Sequence, residues 1–255
     1  MIEVEAQLEL AKRRAERTED VCNNDDFLLK QPFVSIVAIY PDGTPQEEIQ
    51  KFILALPSHE DIEFVLVANS VAEEEKYTIG WREGRITSAI HDVPEFEFDT
   101  CRNTALHIAR GEWIVSLDLD EKLLTTGQKL VDSLRVVPAN VDSLRVTNVS
   151  LKTTNGNTPE AYASGQIRIF RKNNYIRWQG RCHETLEYTV AKTAQSYFII
   201  QHLGYLTSGE NLLRKLERNL LLLCKEVLAP RTEQTKRIAL KYICMTGRDL
   251  APAFT

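Results

Sequence analysis

The sequence predicts an α/β protein with a mixed, mostly parallel sheet flanked by helices. Short apolar runs rich in β-branched residues recur along the first half of the chain, and segments with helical spacing separate them. Strands that alternate with helices pair in parallel, because a crossover helix brings the next strand back in the same direction. With 255 residues, 43% of them hydrophobic, the chain can bury one sizeable core.

The first three strands and the first helix follow from local patterns. Residues 32–40 form an apolar run that ends at a Pro-Asp-Gly turn, and residues 62–70 and 85–93 repeat the pattern of a buried strand. Residues 45–56 carry apolar side chains at helical spacing and acidic side chains in the first turn, where the helix dipole favours negative charge. This strand-helix-strand order is the reason to expect a parallel sheet.

A second helix and a fourth strand lead to a cluster of acidic residues. Asp99 or Thr100 is the expected N-cap of this helix, and Gly111 is the expected left-handed residue at its end. The apolar run at residues 113–117 is a buried strand, with Trp113 as a core residue. Its carboxyl end carries the acidic cluster, and ligands of open α/β sheets bind at such ends.

The acidic cluster contains a D-x-D pair, Asp118 and Asp120. Because side chains alternate along a strand, these two are predicted to face the same way and to share one cation. Hard carboxylate oxygens suit Mg²⁺ or Mn²⁺, and such a cation neutralises the charge that develops on a departing diphosphate. The alternative is a solvated acidic pair, since most surface carboxylates have no ligand.

The motifs along residues 34–205 resemble those of family 2 glycosyltransferases with the GT-A fold. Their order is SIVAIY, VLVANS, D-x-x-R-N-x-A-L-x-x-A-x-G-E-W-I-x-x-L-D-x-D-E, IRIFRKNNYIRWQGRCHETL and IIQHLGY. The bacterial subgroup that includes lipopolysaccharide core glucosyltransferases and enzymes fused to tetratricopeptide repeats is the most similar. The matching residues are Arg102, Asn103, Gly111, Trp113, Asp118, Asp120, Glu121, His183, Glu184, His202 and Tyr205.

The resemblance implies a metal-dependent, inverting transfer of a sugar from a nucleotide-sugar to an acceptor hydroxyl. It favours a UDP-sugar donor, a glycan or lipid-linked acceptor, and Mn²⁺ or Mg²⁺ as the cofactor. It implies Asp120, Asp118 and His202 as metal ligands, and Asp118, Arg102, Asn103, Asn69, Arg181 and His183 as donor-binding residues. A simpler interpretation of Arg102 is that it pairs with one of the two aspartates.

Glu184 is the catalytic base that the resemblance implies. An inverting transferase needs a carboxylate that takes the proton of the acceptor hydroxyl as its oxygen attacks the anomeric carbon. Regular strand alternation places His183 and Glu184 on opposite faces, so both can face the donor only at a bulge or turn. If Glu184 is instead a surface residue, Asp99 and Glu187 are the next candidates.

Charge is distributed unevenly along the chain. Residues 1–165 contain 16 Lys and Arg against 29 Asp and Glu, whereas residues 166–255 contain 15 against 7. A basic half indicates an anionic partner such as a diphosphate, a lipid head group or a nucleic acid, or else solvated surface residues. The most basic stretch, with aromatic residues between its cations, contains Arg168, Arg171, Lys172, Tyr175, Arg177, Trp178 and Arg181.

One departure from the family pattern affects the nucleotide site. Relatives carry an acidic residue after the second strand, where this chain has Ala68 and Asn69. Relaxed selectivity for the nucleotide base is expected, with the Asn69 amide as a substitute contact.

Three alternative functions stay open: a non-catalytic nucleotide-sugar-binding relative, a nucleic-acid-modifying glycosyltransferase, and a haloacid-dehalogenase-type phosphatase. The last is disfavoured by Lys122, where such enzymes have Thr or Val.

The chain is predicted to comprise an N-terminal helical extension (residues 1–30), a catalytic domain (31–208) and a C-terminal helical segment (209–255). The leucine stripe of the last segment indicates packing on the catalytic domain, a dimer contact or a membrane surface. No apolar run reaches the roughly 18 to 20 residues that span a bilayer. Five scattered cysteines indicate neither a disulfide framework nor a zinc site. A cytoplasmic protein is expected, with peripheral membrane contact and the oligomeric state left open.

Overall fold

The computed structural model describes residues 31–41, 44–69, 85–91, 97–153, 159–173, 176–187, 192–202 and 210–250. The predicted N-terminal extension, residues 1–30, lies outside these residues. From Pro32 onward the chain forms one compact unit.

Five helices and ten strands occur within the described residues. The helices are α1 (Gln46–Ala55), α2 (Phe98–Ile108), α3 (Gly127–Arg135), α4 (Glu210–Leu228) and α5 (Glu233–Leu250). The first five strands are β1 (Val34–Pro41), β2 (Ile62–Asn69), β3 (Arg85–His91), β4 (Trp113–Leu117) and β5 (Glu121–Leu123). The others are β6 (Ser143–Thr153), β7 (Pro159–Arg171), β8 (Arg177–Gln179), β9 (Thr185–Glu187) and β10 (Thr193–His202).

Eight strands form one mixed sheet in the order β3-β2-β1-β4-β7-β6-β10-β5. The pairs β2–β3, β1–β2, β1–β4 and β6–β10 are parallel, whereas β4–β7, β6–β7 and β5–β10 are antiparallel. Strands β8 and β9 form a separate antiparallel pair. The predicted fold class, a mixed and mostly parallel sheet flanked by helices, is confirmed.

The central strands are buried on both faces, which explains their continuous apolar runs. On β1, Ile36 and Ala38 belong to the core that α1 and α3 cover. Val37 and Ile39 belong to a second core, which α2 covers on the other face of the sheet. Trp113 is fully buried in the first of these cores, as predicted.

The helix that follows β1 and the helix that precedes β4 pack on opposite faces of the sheet. The β1-α1-β2 connection packs α1 on one face, and the β3-α2-β4 connection packs α2 on the other. The strand order therefore reverses between β1 and β4, and ligands of open α/β sheets bind at the carboxyl ends of the strands at such a point. The acidic cluster that follows β4 lies at this position.

Two local predictions about α2 are wrong. The helix begins at Phe98 after Glu97, so Asp99 lies in its first turn rather than at its N-cap. The helix ends at Ile108 with Ala109 as its C-cap, and Gly111 does not have a positive φ. A Cβ atom on Gly111 would lie 2.5 Å from the backbone nitrogen of Ser35, so close approach to β1 explains this glycine.

The C-terminal helices α4 and α5 pack against the segment between β8 and β9. Leu222, Leu223 and Ala239 form a buried cluster with Cys182. This contact corresponds to the first of the three interpretations of the leucine stripe, packing on the predicted catalytic domain. No helix in the part of the chain that the structure describes is both long and apolar enough to cross a membrane.

Candidate active site

The acidic residues after β4 form a tight loop and not a continuation of the strand. Strand β4 ends at Leu117. The backbone N–H of Asp118 donates to Oε2 of Glu121 at 2.9 Å, and the backbone N–H of Glu121 donates to the carbonyl of Asp118 at 2.9 Å. Strand alternation therefore does not extend to Asp120, and the two aspartates make separate contacts.

The Arg102 guanidinium joins the acidic loop to the predicted base. Its Nε donates to Oε1 of Glu184 at 2.5 Å, and its Nη2 donates to Oδ1 of Asp118 at 2.5 Å. Its Nη1 donates to Oγ of Ser116 at 3.0 Å, and the side chain lies over the ring of Trp178. Arg102 is only 2% exposed. The structure thus brings Asp118 and Glu184 together through one buried cation.

A second arginine, Arg168, binds the other side of the acidic loop. Its Nη2 donates to Oδ2 of Asp118 at 3.1 Å and to Oε1 of Glu121 at 2.7 Å. Burial acts to raise the pKa of Asp118, but Arg102 and Arg168 outweigh it and hold that pKa well below its usual range. Burial raises the pKa of Glu121, although Arg168 opposes the shift.

Asp120 is a partly exposed residue of the acidic loop, and its partners differ from those of Asp118. Nε2 of His202 is 3.3 Å from Oδ2 of Asp120, and Nζ of Lys215 is 3.7 Å from the same oxygen. Nδ1 of His202 is 3.3 Å from Oγ of Ser150, which orients the imidazole. The hydrogen bond with Asp120 raises the pKa of His202.

The donor set around Asp120 suits a divalent cation better than that around Asp118. A carboxylate and an imidazole, as on Asp120 and His202, are ligands that Mn²⁺ accepts. Both oxygens of Asp118 already accept hydrogen bonds from arginines. No group of three or more metal-ligating side chains occurs in the described residues. Asp120 and His202 therefore fit the implied metal, with remaining ligands to come from substrate or water.

The segment that carries Glu184 is a turn with unusual backbone geometry. Gly180 has a φ of 106° and His183 a φ of 55°. This left-handed conformation makes the segment a turn and not a regular strand, so His183 and Glu184 need not point to opposite faces. His183 stacks on Tyr242 of α5 with ring centroids 3.5 Å apart and an interplanar angle of 9°. The ring stack therefore holds the residue next to Glu184.

Asn103 and Arg181 make their contacts with the protein itself. The Asn103 amide binds both backbone groups of Trp178, donating to its carbonyl at 2.9 Å and accepting from its N–H at 2.8 Å. Arg181 donates to Glu97 at 2.8 Å and to Glu226 at 3.0 Å. These bonds fix the turn, and contact with the donor stays a prediction for both residues.

Asn69, which was predicted to contact the nucleotide base, ends β2. Its backbone pairs with Pro41, and the neighbouring Ala68 is buried opposite Tyr40. The side chain of Asn69 lies outside the part of the chain that the structure describes, so its predicted contact with the base stays a prediction.

A buried polar joint that the sequence did not predict ties the C-terminal helices to α2. Glu226 is 1% exposed and accepts from the Thr235 hydroxyl at 2.6 Å and from the Arg231 N–H at 2.7 Å. Nε of Arg231 donates to Asp99 at 2.8 Å. Burial acts to raise the pKa of Glu226, but these hydrogen bonds outweigh it and lower the pKa. The signal in the sequence for this buried contact was an acidic residue, Glu226, next to the leucine stripe of the C-terminal segment.

An open groove of about 710 Å³ runs beside α2. Its lining comes from α2, from β8 and from the turn between α4 and α5. The lining residues are Asp99, Thr100, Asn103, Thr104, His107, Arg177, Trp178, Gln179, Arg231 and Thr232. Of the predicted donor-binding residues only Asn103 lines it, beside Asp99, the alternative candidate for the base. Asp118, Asp120 and Glu184 are not among its lining residues.

No protein-family model and no curated protein matches this chain. Among solved structures, the chain is similar to S. aureus TarS 1-349, with 13% identity over 86% of this chain and 73% of that one and a TM-score of 0.44. TarS 1-349 in complex with UDP-GlcNAc gives 15% identity, 87% and 74% coverage and a TM-score of 0.43. 4-Diphosphocytidyl-2C-methyl-D-erythritolsynthase from Anaerococcus prevotii has 13% identity over 56% of this chain and 71% of that one, with a TM-score of 0.35. Similarity at this level concerns the fold alone.

Proposed function

We propose that this protein is a metal-dependent, inverting glycosyltransferase that moves a sugar from a UDP-sugar to a hydroxyl of a glycan or lipid-linked acceptor in the cytoplasm. The observation that carries the proposal is the bridge from Asp118 through Arg102 to Glu184, at the carboxyl end of β4. It joins Asp118, the first aspartate of the D-x-D motif, to the carboxylate that the family resemblance implies as the base. Residues 31–208 form the catalytic domain in this proposal.

Glu184 acts as the general base. Arg102 holds Oε1, and in this proposal the other oxygen, Oε2, receives the proton of the acceptor. The acceptor oxygen attacks the anomeric carbon, its proton passes to Glu184, and the bond to the nucleoside diphosphate breaks. General-base catalysis of this kind contributes about 10² to 10⁴ in rate.

Asp120 and His202 hold the cation in this proposal, and Asp118 acts indirectly. A bound Mn²⁺ or Mg²⁺ supplies positive charge against the departing diphosphate. Asp118, with both oxygens bonded to arginines, orients Arg102 and Arg168. Asn103 contributes by holding the turn through the backbone of Trp178.

The test is a donor-hydrolysis screen of UDP-, GDP- and CMP-sugars with Mn²⁺ or Mg²⁺, followed by two substitutions. We expect hydrolysis of a UDP-sugar, and we expect Glu184→Gln to lower transfer by about 10² to 10⁴ with little change in donor affinity. Asp120→Asn should abolish metal-dependent binding of UDP in calorimetry. Transfer within a few-fold of wild type in Glu184→Gln would assign the base to another residue.

The second candidate is a non-catalytic protein that binds nucleotide-sugars. The observation that favours it is the engagement of both Asp118 oxygens by arginines. The same screen separates the two candidates, because a non-catalytic protein binds UDP without hydrolysing any UDP-sugar. The basic half of the chain keeps a nucleic-acid acceptor as a variant of the first proposal.

A further inference from the structure

Helix α4 brings a cation, Lys215, to the mouth of the acidic loop. Its Nζ lies 3.7 Å from Oδ2 of Asp120, on the oxygen that also faces His202. Its side chain is 39% exposed. Lys215 belongs to the C-terminal segment, which lies outside the region that resembles the glycosyltransferase family.

We propose that Lys215 is a ligand of the donor's diphosphate, so that the C-terminal helix α4 completes the donor site. This inference rests on the proposed function and adds a residue and a chemical contact to it. Lysine ammonium groups bind phosphates as point charges and need no fixed orientation.

The arginines of the site are already engaged, whereas Lys215 is accessible. Arg102 and Arg168 have side chains only 2% and 12% exposed, and their guanidinium groups bind Glu184, Asp118 and Glu121. Breaking those contacts to reach a donor would leave the buried Glu121 and the part-buried Glu184 without these partners, which is costly. Lys215 can turn toward a ligand without such a cost.

The pair between Lys215 and Asp120 is loose enough to be exchanged. A separation of 3.7 Å exceeds the about 2.7 to 2.9 Å of a charge-assisted hydrogen bond. An exposed ion pair of this kind stabilises a protein by only about 0 to 1 kcal/mol. A diphosphate that carries several negative charges therefore competes well with one carboxylate for the ammonium group.

The charge of Lys215 also acts on the turn that carries the base. Burial lowers the pKa of His183, and the charge of Lys215 adds to that shift while Glu184 opposes it. The charge of Lys215 thus acts on both Asp120 and the residue before Glu184. In the proposed function the leaving diphosphate lies between these two parts of the site.

The experiment compares phosphate dependence in three variants. Isothermal titration measures the affinities of UDP, UMP and uridine for the full-length wild type, Lys215→Met and Lys215→Arg, in Mn²⁺ and again in EDTA. Lys51→Met is the matched control, because Lys51 is an exposed lysine on α1. Thermal unfolding of each variant verifies that the fold is intact.

We expect Lys215→Met to weaken UDP binding about tenfold, in line with the loss of a charged contact. UMP binding should fall less than UDP binding, uridine binding should not change, and Lys215→Arg should keep most of the UDP affinity. Lys51→Met should bind UDP as the wild type does.

Two results overturn the inference in distinguishable ways. If the wild type binds UDP more tightly than uridine and Lys215→Met keeps the full UDP affinity, Lys215 is not a diphosphate ligand and the proposed function stands. If the wild type binds neither UDP nor a UDP-sugar in Mn²⁺, the proposed function fails, and the assignment of Lys215 fails with it.

Discussion

Replacing Arg102 tests the bridge on which the candidate active site depends. The guanidinium donates to Glu184, Ser116 and Asp118 from three different nitrogens. A lysine at this position keeps the charge but offers one ammonium group, which cannot reach all three acceptors. Arg102→Lys therefore separates the effect of geometry from that of net charge.

The magnitude follows from the burial of the bridge. Hydrogen bonds to charged groups contribute about 1.5 to 3 kcal/mol each. Removing one partner of a buried ion pair costs about 3 to 5 kcal/mol. Asp118 keeps Arg168 as a second partner. We therefore expect Arg102→Lys to lower the free energy of unfolding by about 2 to 3 kcal/mol, below the roughly 5 to 15 kcal/mol of a typical domain.

The assay is urea unfolding followed by circular dichroism, combined with a double-mutant cycle between Arg102→Lys and Glu184→Gln. A coupling energy of about 1 to 2 kcal/mol is expected for two residues in direct contact. The matched control is Arg177→Lys, because Arg177 is 64% exposed and pairs with the half-exposed Glu187. A surface pair of that kind contributes about 0 to 1 kcal/mol.

Two outcomes would contradict the reasoning. Arg102→Lys could unfold at the same urea concentration as the wild type, or the cycle could give a coupling energy near zero. Either result means that Arg102 does not hold Glu184 in solution, and the proposed base then has no fixed orientation.

Three further predictions concern the elements that hold the site. Tyr242→Phe should keep the stack on His183 and normal transfer, whereas Tyr242→Leu should lower kcat more than it raises KM; equal kcat for both variants would contradict this. Glu226 has a lowered pKa, so its stabilising effect is full above about pH 4.5 and is lost as pH falls through the folded-state pKa. Glu226→Gln should therefore destabilise the protein most near neutral pH, and a pH-independent difference in urea unfolding would refute it. Gly111→Ala should destabilise by about 1 to 3 kcal/mol, because the added Cβ meets the backbone of Ser35; an unchanged melting temperature would exclude that clash.

Local periodicity was sufficient to predict strands β1 to β4 and the position of the acidic loop. The apolar run at residues 113–117 is β4, and Asp118 follows it at the carboxyl end, as the pattern of a buried strand requires. Such predictions succeed because strand and helix periods are set by backbone geometry within a few residues. The loop that begins at Asp118 was less predictable, since it depends on Glu121 accepting a backbone hydrogen bond.

The contacts that assemble the site are long-range, and no local pattern encodes them. The simpler interpretation of Arg102, pairing with an aspartate, was correct for Asp118, but the link to Glu184 needs both chain segments in place. Asp99 was expected as a helix cap and is instead bound by Arg231 from the turn after α4. Tertiary packing determines the partners of both Arg102 and Asp99, because a buried charge has to pair with an opposite charge that the fold places beside it.

The direction of β7 determines the path by which the chain reaches the site. Arg171, the last residue of β7, pairs with Trp113, the first residue of β4. Strand β7 therefore ends beside the amino end of β4, whereas Asp118 follows the carboxyl end of β4. The chain then recrosses the α2 face, where Trp178 is buried, before it delivers Glu184. The position of Glu184 therefore depends on the packing of β4, β7 and α2 against one another, and not on the acidic loop alone.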